Sequence, residues 1–371
     1  MALFHNIRDA WLLLEDGTIY TGSSFGAAGT TIGEVVFTTS MTGYQETLTD
    51  PSYYGQIVTQ TFPLIGNYGV NDEDSEAPNP ALKGYIVREW CENPSNFRCK
   101  ENLDTFLKEH NVIGLYDIDT RALTRKLRES GTMNGMITTQ DPTGNVPELL
   151  EQIRAYRIVD AVKNVSVTAP EFFEAEGEPQ YHVALLDYGY KHNIRRGLVK
   201  RGCSVTVVPY NTTAQEIAAM GVDGIMLSNG PGDPAQNVEA IANLKEMMQL
   251  KIPIFGICLG HQLLALANGA KREKLHYGHR GGNQPVTDID HGRTLVTTQN
   301  HGYAIINESI DPSVGRVSHT NANDRTCEGV KYLKAPAFTV QFHPEAYGGP
   351  RDTAYLFDEF LDMMKKYREE K

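Results

Sequence analysis

The 371-residue sequence lacks several features that would identify a class of protein at once. No apolar run reaches transmembrane length, and the short run at residues 11–14 is cut off by Glu15-Asp16-Gly17. We therefore expect neither a membrane span nor a signal peptide. The five cysteines are odd in number, widely spaced and without a C-x-x-C pair, which argues against a disulfide framework and a structural zinc site. These absences favour a cytoplasmic protein.

The sequence also argues against several classes of ligand. The formal net charge of −12 argues against nucleic acid or an anionic membrane as a partner. The sequence contains no Gly-Lys dipeptide, so it has no phosphate-binding loop of the G-x-x-x-x-G-K-[ST] type. It also has no H-E-x-x-H or similar ligand spacing, and we therefore predict no metal site.

The length and the order of patterns predict two domains. Residues 141–180 are polar and interrupted by proline, so we place the boundary there, with an N-terminal domain at 1–178 and a C-terminal domain at 179–371. The first is expected to be the smaller, a mixed α+β domain in which residues 40–53 form a polar loop. In the second, strand and helix patterns alternate, which predicts an α/β fold with a doubly wound, mostly parallel sheet. Such folds carry their sites at the carboxyl ends of the strands.

A thiol stands at the junction of a strand and a helix in the second domain. Residues 252–257 read as a buried strand, and apolar residues from 259 to 267 repeat with a helical period. Cys258 lies between them, flanked by Gly256 and Gly260, as in a nucleophile elbow. A helix N-terminus favours the thiolate, and the Leu259 N–H could donate to an oxyanion. The alternative for Cys258 is a small buried hydrophobic side chain.

Two other stretches offer partners for this thiol. A Gly/Pro-rich loop follows the strand at 224–227, and its Gly230 is a candidate for a second oxyanion donor; a plain turn is the alternative. His343 follows the predicted strand at 337–340. Pro344 favours an extended backbone, so Glu345 would point the same way as His343 and orient the imidazole. Cys258, His343 and Glu345 then form a nucleophile, a base and an orienting carboxylate.

The other histidines fit this role less well. His261 is expected to pack or to face solvent, and His301 could form a wall of the site. The remaining candidates, His276, His279 and His291, fall in what reads as a polar loop region with no partner at a defined spacing.

Six runs of residues resemble a known family. The runs at 256–262 (GICLGHQ), 228–234 (SNGPGDP) and 343–345 (HPE) resemble the class I glutamine amidotransferases. The runs at 33–37 (GEVVF), 39–46 (TSMTGYQE) and 117–121 (DIDTR) resemble the small, glutamine-hydrolysing subunits of carbamoyl phosphate synthetases. The resemblance covers essentially the whole chain.

The resemblance implies a reaction and a set of residues. Cys258 would attack the side-chain amide of L-glutamine, with His343 as general base and acid and Glu345 as its orienter. Leu259 and Gly230 would form the oxyanion hole. The resemblance places six residues around the glutamine: Ser40, Gly232, Gln262, Asn300, Gly302 and Tyr303. Ser40 belongs to the other predicted domain, which would bring the site close to the domain junction. Some family members carry Phe where this chain has Tyr303, a change that a backbone contact tolerates.

The resemblance also implies a partner. The ammonia would pass to a separate large synthetase subunit that makes carbamoyl phosphate from bicarbonate and ATP, in a heterodimer or a higher assembly of heterodimers. No cofactor is expected in this chain; ATP and magnesium would bind to the large subunit. Carbamoyl phosphate feeds both arginine and pyrimidine synthesis, and the resemblance leaves both pathways open.

Three alternatives stay open at this point. An amidotransferase for another pathway, such as guanylate or cytidylate synthesis, would be expected to attach a nucleotide-binding synthetase domain. A hydrolase of γ-glutamyl compounds would leave the N-terminal domain without a role. A catalytically silent regulatory or docking subunit belongs to a different class, and an intact triad weighs against it.

Overall fold

The structure is a computed structural model that describes residues 8–370. The chain divides between Val159 and Asp160 into two compact units. Within the described residues, no helix has the length and apolar character needed to cross a bilayer.

The first unit is built around one sheet that closes on itself, in the strand order β1-β2-β8-β6-β4-β3-β9, with β5 and β7 as a separate pair. Its strands are β1 Asp9–Leu14, β2 Ile19–Gly26, β3 Thr30–Thr38, β4 Gln56–Gln60, β5 Leu64–Ile65, β6 Gly84–Ile86, β7 Glu89–Trp90, β8 Ile113–Tyr116 and β9 Met133–Thr138. Its helices are α1 Tyr44–Thr49, α2 Leu103–Glu109, α3 Thr120–Ser130 and α4 Val146–Ala155.

Local sequence signals account for most of these elements. Helix α3 begins where the Asp119 carboxylate accepts the Ala122 N–H, and it ends at Gly131, whose φ is positive. The prediction of a loop throughout residues 40–53 was wrong, because α1 lies within it. This helix has no side-chain cap, and it is held by burial of Tyr44 and Leu48 in the core, a tertiary effect that the polar sequence does not reveal.

The second unit carries a ten-stranded sheet in the order β10-β12-β11-β13-β14-β19-β18-β17-β15-β16. Its strands are β10 Glu171–Phe173, β11 Tyr181–Asp187, β12 Cys203–Pro209, β13 Gly224–Leu227, β14 Ile254–Ile257, β15 Arg272–Asp288, β16 Arg293–Ile305, β17 Gly315–Asn321, β18 Cys327–Tyr332 and β19 Ala337–Val340. Its helices are α5 Ala161–Val165, α6 His192–Val199, α7 Ala214–Ala219, α8 Val238–Met247, α9 Leu259–Ala267 and α10 Leu356–Glu370.

The five strands β12, β11, β13, β14 and β19 are parallel, as the doubly wound prediction requires. From β11 the chain runs outward to β12 and then returns to the other side with β13, so the strand order reverses next to β11. Sites in open α/β sheets form at the carboxyl ends of the strands beside such a reversal.

Apolar cores lie on both faces of this sheet. In β11, Ala184 and Leu186 belong to one core, with apolar residues of α7, α8 and α9. Val183 and Leu185 belong to the other, with apolar residues of α6 and α10. This alternation follows from the two-residue period of a strand, and it explains why β11 is apolar on both faces.

The region between α9 and β17 differs from the sequence prediction. We predicted a polar loop around His276, His279 and His291, but β15 and β16 form a long antiparallel pair. The pairing is interrupted by register shifts between Lys274 and His279 and between Gly281 and Gln284. Glycines and bulges make such a strand read as a loop.

Residues 160–178, which the sequence assigns to the N-terminal domain, pack with the second unit. Strand β10 pairs antiparallel with β12, and Phe172 lies opposite Thr206. The segment has a linker-like composition, but its pairing is long-range, so local pattern does not show it.

Candidate active site

The backbone at Cys258 forms a strained turn between β14 and α9. Cys258 has φ 52° and ψ −103°, a conformation that side-chain-bearing residues rarely adopt. Its N–H donates to the Val340 carbonyl at 2.8 Å, and its carbonyl accepts from the Gln262 N–H at 3.1 Å. Strain of this kind costs about 1–3 kcal/mol and persists where the surroundings fix it, often at functional sites.

Gly256 and Gly260, on either side of Cys258, lie where there is no room for a side chain. A Cβ on Gly256 would lie 2.8 Å from Cγ2 of Thr339, and a Cβ on Gly260 would lie 2.5 Å from the Leu227 carbonyl oxygen. Neither distance is compatible with a side chain unless the backbone moves. The sequence-based argument that bulky residues would collide here is thus supported at both positions.

His343 lies beside the elbow because of strand order. Strands β14 and β19 are parallel neighbours with Ile257 opposite Val340, so the segments that follow them leave the same edge of the sheet. Cys258 is the first residue after β14, and His343 is the third after β19. Both side chains are buried, and the His343 N–H donates to the Thr298 carbonyl at 2.9 Å.

The imidazole of His343 is held by a carboxylate. Its Nδ1 lies 2.7 Å from Oε1 of Glu345, while its buried Nε2 has no hydrogen-bond partner among residues 8–370. The ammonium group of Lys191 lies 2.8 Å from the same Glu345 oxygen. Burial alone would raise the pKa of Glu345, but Lys191 and His343 outweigh it and lower the pKa to about 2. An ionised Glu345 accepts Nδ1–H, which leaves the Nε2 lone pair of a neutral ring available as a base.

The thiol and the candidate glutamine residues meet along β16. Cys258 Sγ lies 3.6 Å from the Asn300 carbonyl, a weak S–H···O contact. Gln262, one turn into α9, donates its amide to the Tyr303 carbonyl at 2.7 Å and to Gln341 Oε1 at 2.8 Å. The structure thus brings Cys258, Gln262, Asn300 and Tyr303 together, and Gly302 lies between the last two in the strand.

The two candidate oxyanion donors lie at the first residue of α9 and in the loop after β13. Helix α9 begins at Leu259, so the first N–H groups of the helix have no intrahelical acceptor. The Gly260 N–H donates to the Ser228 carbonyl at 2.9 Å, which ties the elbow to the loop that carries Gly230. A Cβ on Gly230 would lie 2.2 Å from the Tyr188 carbonyl oxygen, so only glycine fits there.

Gly232 and Ser40 are the two remaining candidates for binding glutamine. Gly232 has φ +87° and lines a cavity of about 160 Å³ together with Asp160 and Tyr210. Ser40 belongs to the first unit, just after β3, and its hydroxyl accepts from the Thr38 hydroxyl at 3.4 Å. Its part in binding glutamine stays a prediction.

The remaining histidines have other surroundings. His261 is fully buried, its Nδ1 lies 2.8 Å from the Thr339 hydroxyl, and burial lowers its pKa to about 3. It therefore packs in the core rather than facing solvent. His301 is buried too, and it lies with His279 and Glu328 in a cluster whose donor atoms could hold a metal ion.

Sequence reasoning missed two residues of the site. Lys191, just before α6, reads as one more surface lysine, although it follows β11 next to the strand reversal, where charged residues often serve a site. Gln341 stands directly after β19 and contacts Gln262, but no local pattern marks it.

Comparison with known proteins gives matches over most of the chain. Residues 12–137 match the family model for the carbamoyl-phosphate synthase small chain, CPSase domain, and residues 184–363 match that for glutamine amidotransferase class-I. A carbamoyl phosphate synthase small chain from Bacillus thuringiensis subsp. konkukian is 52% identical over 359 residues, covering 97% of each chain. One from Listeria monocytogenes serotype 4b is 54% identical over 354 residues, covering 95% of this chain and 96% of its own.

A third relative shows a similar level of identity. The carbamoyl phosphate synthase small chain of Fusobacterium nucleatum subsp. nucleatum is 52% identical over 350 residues, covering 94% of this chain and 96% of its own. Identity at this level over nearly the full length, together with the two domain matches, shows the family. The chain belongs to the carbamoyl phosphate synthase small chains.

Proposed function

We propose that this chain hydrolyses L-glutamine as the small subunit of a carbamoyl phosphate synthase and supplies the ammonia to a separate large subunit. The observation that carries the proposal is the placement of Cys258 on a strained elbow at the end of β14, beside the segment of β19 that leads to His343 and Glu345.

The first half of the reaction forms a thioester. His343 Nε2 takes the proton of the Cys258 thiol, and the sulfur attacks the side-chain carbonyl carbon of glutamine. The carbonyl oxygen becomes an oxyanion that accepts the N–H groups of Leu259 and Gly230. The C–N bond then breaks, and the departing nitrogen takes the proton from His343 and leaves as ammonia.

The second half hydrolyses that thioester. A water molecule gives a proton to His343 Nε2 as its oxygen bonds to the carbonyl carbon, and the same donors hold the second oxyanion. The C–S bond breaks, the sulfur regains the proton, and glutamate leaves. Glu345 keeps the ring in one tautomer throughout and stabilises the imidazolium formed in each half.

Glutamine itself would be held by residues around the elbow. Gln262 is fixed by two hydrogen bonds, so its position is set before the substrate arrives. Asn300, Gly302 and Tyr303 would contribute from β16. Ser40 and Gly232 complete the proposed set, from the first unit and from the loop after β13.

The large subunit would use the ammonia, bicarbonate and ATP with magnesium to make carbamoyl phosphate, in a heterodimer or an assembly of heterodimers. The names of the relatives support a partner chain of this kind. Cys258, His343 and Glu345 all belong to this chain, so it would supply the nucleophile, the base and the orienting carboxylate of the glutaminase step.

The experiment is a Cys258→Ser substitution tested in the complex with the large subunit. We expect loss of glutamine-dependent carbamoyl phosphate synthesis and retention of synthesis from added ammonium. Persistence of glutamine use would contradict the assignment of Cys258. If the native chain, alone and with its partner, released no glutamate from glutamine, the silent docking subunit would be the better account.

A further inference from the structure

Three strands of the second unit bring His279, His301 and Glu328 around one point. They belong to β15, β16 and β18, and one donor atom from each lies within 4.8 Å of the other two. His279 and His301 are directly opposite in the β15–β16 register, and His279 Nδ1 lies 3.5 Å from Glu328 Oε1. Glu328 and His301 are buried, and 11% of the His279 side chain is exposed.

Each imidazole ring is oriented by a hydrogen bond from one of its nitrogens to an oxygen atom outside the cluster. His279 Nε2 lies 2.8 Å from a carboxylate oxygen of Asp324, and His301 Nδ1 lies 2.7 Å from the Tyr303 carbonyl oxygen. Both oxygens are acceptors, so each ring directs an N–H outward and turns the lone pair of its other nitrogen inward. Metal-binding histidines almost always donate their second ring N–H to a carboxylate or a backbone carbonyl in this way.

The inward nitrogens also meet oxygen atoms. His279 Nδ1 faces Glu328, and His301 Nε2 lies 3.0 Å from Oε1 of Gln299. The Gln299 amide is fixed in this orientation because its Nε2 donates to Glu328 Oε2 at 3.0 Å and to Thr297 Oγ1 at 3.2 Å. With one N–H directed outward on each neutral ring, the two inward nitrogens carry lone pairs, and these lie near oxygens of Glu328 and Gln299.

A divalent cation between the two inward lone pairs and the Glu328 carboxylate would bind all three groups at once. The rings are in edge contact with centroids 5.0 Å apart, so two imidazolium ions would repel each other in a buried place. Asn321 Nδ2 lies 3.5 Å from His279 Nδ1, at the limit of a hydrogen bond.

We propose that His279 Nδ1, His301 Nε2 and a Glu328 carboxylate oxygen bind a divalent transition-metal ion, of which Zn²⁺ fits best. Two imidazoles and one carboxylate are a common ligand set for zinc. The Gln299 carbonyl oxygen lies beside His301 Nε2, where it or a water molecule could fill a fourth position. No local motif marks this site, because its ligands would come from three separate strands.

The position of the site gives it a structural role. A bound ion would link β15, β16 and β18 next to Asn300 and Gly302, which we propose contact glutamine. It would therefore stabilise the wall of the glutamine site without taking part in the chemistry at Cys258.

The test uses the full-length chain with Cys258→Ser, so that the elbow thiol cannot bind metal. The chelator-treated protein is titrated with Zn²⁺ by calorimetry and with Co²⁺ by visible absorption. We expect one ion per chain and a higher melting temperature with Zn²⁺. Glu328→Gln and His279→Gln should each weaken binding by about tenfold or more. His291→Gln, at an exposed histidine that pairs with Asp288, is the matched control and should leave the affinity unchanged.

The proposal is overturned if no saturable one-to-one binding occurs, or if folded Glu328→Gln binds the ion as tightly as its parent. Should both ligand variants fail to fold, X-ray absorption at the zinc edge on the Cys258→Ser chain decides. Two imidazole ligands with oxygen neighbours support the site, and sulfur ligands contradict it.

Discussion

A single carboxylate oxygen of Glu345 contacts both His343 and Lys191. Its distances are 2.7 Å to His343 Nδ1 and 2.8 Å to Lys191 Nζ, and all three side chains are buried. The lysine comes from the segment between β11 and α6 and the other two from the segment after β19, so the sheet brings them together. Because Lys191 offsets the cost of burying the carboxylate charge, it is a positioning residue for the base.

Lys191→Met should therefore change the acid side of the pH profile. Without the cation, the pKa of Glu345 rises from about 2, so protonation of Glu345 at higher pH would uncouple it from His343. We expect glutaminase kcat to fall by about tenfold or more and its acid limb to move upward. The measurement is kcat as a function of pH, with Lys200→Met, at an exposed lysine, as control.

The same variant tests stability. The folded pKa of Glu345 lies below the ordinary value of 4.5, so its contribution to stability is complete above pH 4.5 and is lost as the pH falls toward 2. Removing one partner of a buried ion pair costs about 3–5 kcal/mol. Denaturant unfolding at pH 7 should show a loss of this order for Lys191→Met. An unchanged midpoint would mean that the pair does not stabilise the fold.

Glu345→Gln should separate orientation from binding. The amide keeps the shape of the side chain but not its charge, so the His343 tautomer and the imidazolium lose their support. We expect glutaminase kcat to fall by about 10²–10⁴, with a small change in KM. Steady-state glutamate release measures this. Glu246→Gln, at an exposed carboxylate of α8, should behave as the parent chain. An equal fall in kcat for Glu246→Gln would contradict a special role for Glu345.

Gly260→Ala should deform the elbow. The added Cβ would lie 2.5 Å from the Leu227 carbonyl oxygen, so backbone must move. We expect a loss of about 1–3 kcal/mol in the free energy of unfolding, together with loss of glutaminase activity. Gly144→Ala is the control, because nothing lies within 4 Å of its added Cβ. Full activity in Gly260→Ala would show that the close approach is not needed.

His261 should make the fold sensitive to mild acid. Burial lowers its folded pKa to about 3 from an ordinary 6.5, so it stays neutral in the native state but takes a proton on unfolding below pH 6.5. Its contribution is complete above pH 6.5 and is lost as the pH falls toward 3, at roughly 1 kcal/mol per pH unit. Chemical denaturation between pH 7 and 5 should give a shallower slope for His261→Gln than for His276→Gln, at an exposed histidine. Equal slopes would contradict this.

Much of the second unit could be predicted because its signals are local. The change from strand to helix period around Cys258, with glycine on both sides, indicated an elbow, and the structure has one there. The two-residue spacing of His343 and Glu345 indicated a paired imidazole and carboxylate, and they lie 2.7 Å apart.

Other features depend on distant parts of the chain. Lys191 matters because β11 and β19 belong to one sheet, and helix α1 forms because Tyr44 and Leu48 are buried. His279 and His301 meet through the pairing of β15 with β16, which glycines and register shifts hide from a pattern search. Tertiary packing sets these features, and no window of the sequence contains both partners.

The most direct test of the account is to trap the covalent intermediate. The chain, with its partner present, is mixed with isotopically labelled glutamine, quenched in acid during turnover, digested and analysed by mass spectrometry. The account predicts a label on the peptide that contains Cys258, with the added mass of glutamine less ammonia, and no such label in Cys258→Ser. A label on another cysteine, such as Cys203 or Cys327, or turnover with no labelled peptide at all, would contradict it.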